Sequence, residues 1–201
     1  MIIENIEYSD KYNLIRLTIS NEKFYVDYNL YYENTFEINK EIDFPTYKLI
    51  LANDEFHRAK NYALNKISYS QKSTYEIRQK LKEQKFSEDV IEKIIAYLDS
   101  YGFLDDESYV KAYIRDKDEI SNWSRGKIRF MLKRKHIDDN LIEDYIYTIS
   151  DEREAEKARF FADKKIKNDF SYENRAKVFR HLASKGFDVD IINQVLNERF
   201  S

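Results

Sequence analysis

A register of about fifty residues recurs three times along the chain, and nothing else in the sequence constrains the fold as tightly. Ile77, Arg78, Leu81, Lys82, Phe86, Val90, Ile91 and Ile95 return 51 residues later as Ile128, Arg129, Leu132, Lys133, Ile137, Leu141, Ile142 and Ile146. A further shift of 50 gives Val178, Phe179, Leu182, Ala183, Phe187, Ile191, Ile192 and Leu196. Six of these eight columns stay apolar in all three copies, at spacings that suit helices buried on one face. Self-similarity at such a period marks stacked supersecondary units, each too small to bury its apolar face alone.

Each copy is interrupted at the same place. Lys85, His136 and Gly186 share one column, followed by Phe86, Ile137 or Phe187 and then by Ser87, Asp138 or Asp188. A left-handed residue ending one helix, an apolar residue folding back and a Ser/Asp cap opening the next helix account for that order. Glycine suits the left-handed position best, and Lys85 and His136 carry a small strain there. Upstream, Ser73, Ser124 and Asn174 are expected N-caps, and Ser73-Thr74-Tyr75-Glu76 has the capping-box spacing. Trp123, just before Ser124, is placed to staple onto Ile128. A further helix precedes each pair, over roughly 54–68, 106–120 and 151–167. Each unit is therefore read as three helices.

The first fifty residues differ. Ile2–Tyr8, Leu14–Ile19 and Lys23–Asp27 are short runs of β-branched and aromatic residues, broken at Ser9-Asp10-Lys11 and Ser20-Asn21-Glu22. They read as a three-stranded meander, which needs a helix against it to be stable. The lone Pro45 fits the start of a helix. The fold expected is mainly α: a β-containing extension over 1–53, then three-helix repeats over 54–105, 106–150 and 151–201.

Composition removes several functions. The 201 residues hold three glycines and no cysteine, and Gly102, Gly126 and Gly186 lie far apart. Neither a Walker A loop nor a dinucleotide fingerprint can be built from them. Without thiols there is no cysteine zinc site, disulfide or cysteine nucleophile, and a cytoplasmic location is expected. His57, His136 and His181 are isolated, so each reads as a surface or half-buried residue, and no metal or cofactor is expected. Asp105-Asp106-Glu107 is the densest carboxylate run beside a turn, yet it stands where a helix cap and its dipole want acids. No run is long and apolar enough for a membrane helix.

Charge is uneven. Residues 1–55 hold 5 Lys+Arg against 11 Asp+Glu, and the remainder hold 29 against 26. Arg125, Lys127, Arg129, Lys133, Arg134 and Lys135 form a basic cluster, with no acid between Trp123 and His136. Arg125, Arg129 and Lys133 fall on one helical stripe, and the first unit offers Arg78 and Lys82 in matching columns. Two readings stand: a surface for an acidic partner or for phosphates, or a solvated helix face. A helix-turn-helix reading is disfavoured. The third helices of the first two units open on Ser87-Glu88-Asp89 and Asp138-Asp139-Asn140, which phosphates would repel.

Gly102-Phe103-Leu104-Asp105-Asp106-Glu107-Ser108-Tyr109-Val110 resembles the Gly-aromatic-Leu-Asp-Asp segment of the RecX regulatory family. The frame around it is similar too: Ala63-Leu64, Lys72-Ser73 and Glu76-Ile77-Arg78-Gln79-Lys80-Leu81 upstream, then Ile128-Arg129, Leu132 and Lys135-His136-Ile137 downstream. His136 stands where family members commonly have glycine. The resemblance implies a non-enzymatic protein that binds RecA recombinase filaments on single-stranded DNA. It further implies modulation, with inhibition expected, of ATP hydrolysis, strand exchange and coprotease action. A monomer is expected, and Arg78, Lys82, Arg125, Lys127, Arg129, Lys133 and Arg134 are the candidate partner-binding residues. The alternative is a helical-repeat module that grips nucleic acid directly with the same stripe.

Overall fold

The computed structural model describes residues 1–9 and 13–200, so the turn expected at Asp10-Lys11 lies outside the described residues. The chain divides into two compact units, Met1–Leu104 and a second one from Asp105 onward. The first begins with an antiparallel meander of β1 (Ile3–Ser9), β2 (Leu14–Ile19) and β3 (Glu22–Val26). Ile6 pairs with Leu17 and Leu17 with Phe24. Ser20 and Asn21 both take left-handed φ, 52° and 63°, as a two-residue hairpin following the strand twist requires. Alternation sends Ile15, Leu17 and Ile19 into a core completed by Phe24, Val26, Phe36, Ile42 and Ile50.

Both open edges of this sheet are occupied. At β1, Ile3 N–H donates to Lys40 O, and Asn39 N–H donates to Ile3 O at 2.8 Å. At β3, side chains substitute for a fourth strand: Tyr25 N–H donates to Asp54 Oδ1 and Asp27 N–H to Asn53 Oδ1, each at 2.9 Å. The sheet therefore has no free row of donors along those stretches to recruit another strand.

A short helix, α1 (Tyr28–Glu33), follows Asp27, whose carboxylate caps Leu30 N–H. Then comes α2 (Phe44–Tyr69), with Asp43 as cap and Pro45 in its first turn. The repeat-based helix over 54–68 is thus the later part of a helix that starts ten residues earlier, at the position Pro45 marked. The extra turns have a packing role: Ile50 enters the core of the sheet, whereas Ala59 and Ala63 enter that of the first repeat. The first repeat adds α3 (Thr74–Glu83) and α4 (Glu88–Ser100).

The second unit holds α5 (Asp106–Glu119), α6 (Arg125–Lys133) and α7 (Asp139–Ile146), then α8 (Asp151–Ile166), α9 (Tyr172–Ser184) and α10 (Val189–Arg199). Each repeat keeps its own core. The six apolar columns supply it, as with Ile128, Leu132, Ile137, Ile142 and Ile146 in the middle copy.

The recurring interruption is a Schellman turn in all three repeats. Lys85, His136 and Gly186 have φ of 62°, 52° and 85°. The next amide reaches back five residues each time, from Phe86 to Leu81 O, Ile137 to Leu132 O and Phe187 to Leu182 O. Ser73 and Ser124 cap as expected, Ser73 within a full capping box. Asn174 does not. Ser171 caps α9 and Asn174 sits one turn in, buried, donating its amide to Ile166 O and Asp169 O. Ser87 and Asp188 hold the cap position without a side-chain cap bond. Ser87 instead hydrogen-bonds Glu55, and Asp188 faces Arg125.

Candidate partner-binding surface

The residues expected to present positive charge fall into three groups. In the first, charge is matched locally and the match repeats. Arg78 makes a two-pronged pair with Glu92, its Nη2 donating to Oε2 at 3.1 Å. One period later, Arg129 holds Glu143 through Nε at 2.6 Å and Nη2 at 3.1 Å. Lys82 meets Glu88 at 3.2 Å, and its counterpart Lys133 meets Asp139 at 2.9 Å. These pairs tie the second helix to the third in the first two repeats. Hydrogen bonding to Arg129 and Arg78 holds the Glu143 and Glu92 carboxyls below their usual range, and each arginine's pKa rises in return. Two of the carboxylates that argued against a DNA-reading helix, Glu88 and Asp139, are partners of the stripe itself.

Arg125 forms the second group alone. It is 5% exposed, at the joint between the middle and third repeats. Its Nη2 lies 2.7 Å from Asp151 Oδ1 and 3.8 Å from Asp188 Oδ2, and its backbone N–H donates to Glu154 Oε1 at 2.8 Å. Glu154 is fully buried and also meets Lys157 Nζ at 2.8 Å, which reaches Asp118 Oδ1 at 3.0 Å and donates to Trp123 O at 2.7 Å. Burial on this scale requires each charge to be compensated by a partner. Sequence reading missed Glu154 and Lys157, because a Glu–Lys pair three residues apart looks like any solvated helix face.

Lys127 and Arg134 make up the third group. Neither has a carboxylate partner among the described residues. The Lys127 ammonium stands 3.9 Å from the centre of the Trp123 ring, and Arg134 lies 5.9 Å from that of Phe130, a residue 59% exposed. Trp123 joins the core cluster that holds Ile128, as the staple expectation requires.

Gly126 occupies the same joint. A Cβ there would lie 2.3 Å from Gly186 O, and one on Gly186 would lie 2.8 Å from Lys127 N. Two backbones touch at this point, and the Ser124 hydroxyl donates to Lys185 O at 2.6 Å beside them.

Among the other residues singled out, Asp105 caps α5 through Ser108 N–H. Glu107 pairs with Lys111 at 2.6 Å, and that hydrogen bond is the main cause of its lowered pKa. His57 is buried rather than half-buried, and its Nε2 is 3.5 Å from Asp27 Oδ2. Burial pushes its imidazole below the ordinary value against the pull of that carboxylate. Among the described residues no His, Asp and Glu side chains gather into a metal-holding group, and no helix is long and apolar enough to cross a membrane.

These features define a class: a tandem array of three-helix repeats behind a small antiparallel sheet, carrying its charge on helix faces. Three family models match in order, described as the first, second and third three-helix domains of RecX, over residues 59–98, 105–146 and 151–196. The chain belongs to the RecX family of regulatory proteins. A relative from Clostridium perfringens (strain 13 / Type A), "Regulatory protein RecX", is 35% identical, covering 86% of this chain and 83% of its own. One of the same name from Finegoldia magna is 34% identical over 97% of this chain and 98% of its own. The crystal structure of a regulatory protein RecX shares the fold at a TM-score of 0.79 and 24% identity, covering 98% of both chains. That of RecX from Lactobacillus salivarius gives 0.66 at 31% identity, over 72% of this chain and 96% of that one.

Proposed function

We propose that this regulator acts by binding RecA recombinase assembled on single-stranded DNA, lowering RecA's ATP hydrolysis, strand exchange and coprotease action. It does so stoichiometrically, as a cytoplasmic monomer, with no cofactor and no chemistry of its own. Membership of the RecX family through all three three-helix domains, in order, carries this reading. Successive repeats can each present one face to successive protomers of a filament. On the second unit, Lys127 and Arg134 supply uncommitted charge. Arg78, Lys82, Arg129 and Lys133 contribute through the outer faces of their ion pairs, and Arg125 fixes the joint beneath. The test is RecA's ATPase on single-stranded DNA with added protein. Slowing is expected, and no change at concentrations comparable to RecA would sink the proposal.

Direct gripping of nucleic acid has one observation in its favour, the unmatched Lys127 and Arg134 beside aromatic rings. It loses support from the rest of the stripe, whose charge is met by carboxylates at hydrogen-bonding distance. Direct binding would weaken steeply with salt in an oligonucleotide titration. Inhibition of RecA by protein that does not bind the bare oligonucleotide would exclude it.

A further inference from the structure

The notch where α6 meets the end of α9 has a composition unlike the ion-paired faces around it. Lys127, Phe130 and Met131 line it from α6, and Ala183, Ser184 and Lys185 from the α9 side. Its floor is the contact of Gly126 with Gly186, fixed backbone to backbone. Phe130, Met131 and Ala183 give its walls an apolar strip, with Phe130 59% exposed at the rim. Two cations line it, Lys127 and Lys185, the latter's ammonium 4.2 Å from the Phe161 ring centre, and a third, Arg134, lies against Phe130 at its rim. None of the three has a carboxylate partner among the described residues. Lys185 and, from α8, Lys165 also act on His181, whose pKa is lowered first by burial and then by these two lysines. Elsewhere on this unit, Arg129, Lys133, Arg153 and Arg159 each have a nearby acid, whereas Lys164 stands over the Phe160 ring and Arg180 donates to Ala176 O.

We infer that this notch is the docking site for an acidic segment of the protein partner, one whose carboxylates meet Lys127, Arg134 and Lys185 while an apolar side chain packs on Phe130 and Met131. The inference rests on the reading that the partner is a protein filament, and it adds to the stripe a contact at the joint between the middle and third repeats. Charge selects the class of ligand, since Lys127, Arg134 and Lys185 lie against rings and leave their charge unmatched by any carboxylate among the described residues. The walls select within that class. The flexible Met131 side chain beside Phe130 accommodates apolar side chains of many shapes, whereas the lining offers a single ring where a run of nucleic-acid bases asks for several flat faces to stack on. A floor made of touching backbones does not have to be ordered on binding, which favours affinity.

The test uses the full chain as wild type, a Lys127→Glu/Lys185→Glu variant and a Phe130→Ala variant. Each is titrated against RecA filaments preformed on single-stranded DNA and against the same oligonucleotide alone. Phe130→Ala removes one exposed ring, so it keeps the test decisive if the double reversal does not fold. Filament affinity should fall about tenfold or more in each variant, the size expected for losing an anchor at an interface, with oligonucleotide binding unchanged. Wild-type affinity in a correctly folded variant overturns the notch and leaves the filament reading intact. A parallel loss of oligonucleotide binding overturns it in favour of nucleic acid as the occupant. Failure of the wild type to bind filaments takes down both readings.

Discussion

The first two repeats and the third hold the same three-helix frame together in different ways. In the first two, Arg78–Glu92 and Arg129–Glu143 clamp the second helix to the third. In the third, those columns hold Phe179 and Asn193, and Phe179 packs against the apolar cluster instead. Its ion pairs have moved to α8 and α10, as Arg159–Glu198 at 2.8 Å and Arg199–Asp163 at 2.7 Å. What does not vary is the set of six apolar columns and the left-handed turn. The frame is therefore set by burial and turn geometry, and half-exposed ion pairs are interchangeable fastenings worth little each. The charges that do matter are buried between repeats.

The largest effect should come from that buried joint. Glu154→Ala leaves Lys157 buried without its nearest carboxylate and takes an acceptor from Arg125 N–H, at a cost of about 3–5 kcal/mol. Urea unfolding followed by fluorescence of Trp123, the single tryptophan, reads it directly. A cost under about 1 kcal/mol would show that the middle and third repeats are not locked through this network. The glycine contact comes next. Gly126→Ala forces apart two backbones and should cost about 1–3 kcal/mol by the same measurement. Gly102→Ala, with φ +67° and nothing within 4 Å of its Cβ, meets only the left-handed penalty of about 1 kcal/mol.

A smaller effect of opposite sign tests the shared turn. Lys85→Gly and His136→Gly relieve a left-handed strain that Gly186 does not carry. Each should raise stability by up to about 1 kcal/mol, and thermal unfolding that shows a loss would contradict the Schellman assignment.

The smallest effect is expected at the third repeat's exposed fastening. Hydrogen bonding to Arg159 lowers the Glu198 carboxyl from 4.5 to about 2. A carboxyl with a depressed folded-state pKa binds fewer protons folded than unfolded. Its contribution is therefore complete above pH 4.5 and disappears as pH falls toward 2. Arg159→Gln should flatten the acid limb of stability in that window and leave the neutral region nearly unchanged. An unaltered acid limb would remove Glu198 from the account.

Much of this could be read along the chain. The apolar columns, the turn residues and the caps at Ser73 and Ser124 act within one or two helical turns, so the pattern that encodes them is local. Asn174 shows the limit. It has the cap's side-chain chemistry in the column of Ser73 and Ser124, but α9 starts three residues earlier in the register and Ser171 captures its first turn instead. The start of α1 was available in Asp27, a good cap before Leu30, but the Tyr-rich run after it also suits a strand. The stripe was legible as a row of cations and illegible as a row of ion pairs, because its acids lie on the next helix, 14 residues along from each arginine.

By itself, then, the sequence determined three repeats, their cores, their turns and a sheet at the front, since periodicity and capping are decided between near neighbours. Only the tertiary structure decided where the charge goes: Arg129 to Glu143, Arg125 into a buried joint, Lys127 and Arg134 left to solvent and rings. It also gave Gly126 a reason, which no local rule supplies. That glycine sits inside a helix and needs no special φ; it is required because a backbone from sixty residues away passes where a side chain would be. Contacts through space depend on how repeats stack, and that stacking is absent from any single stretch of chain.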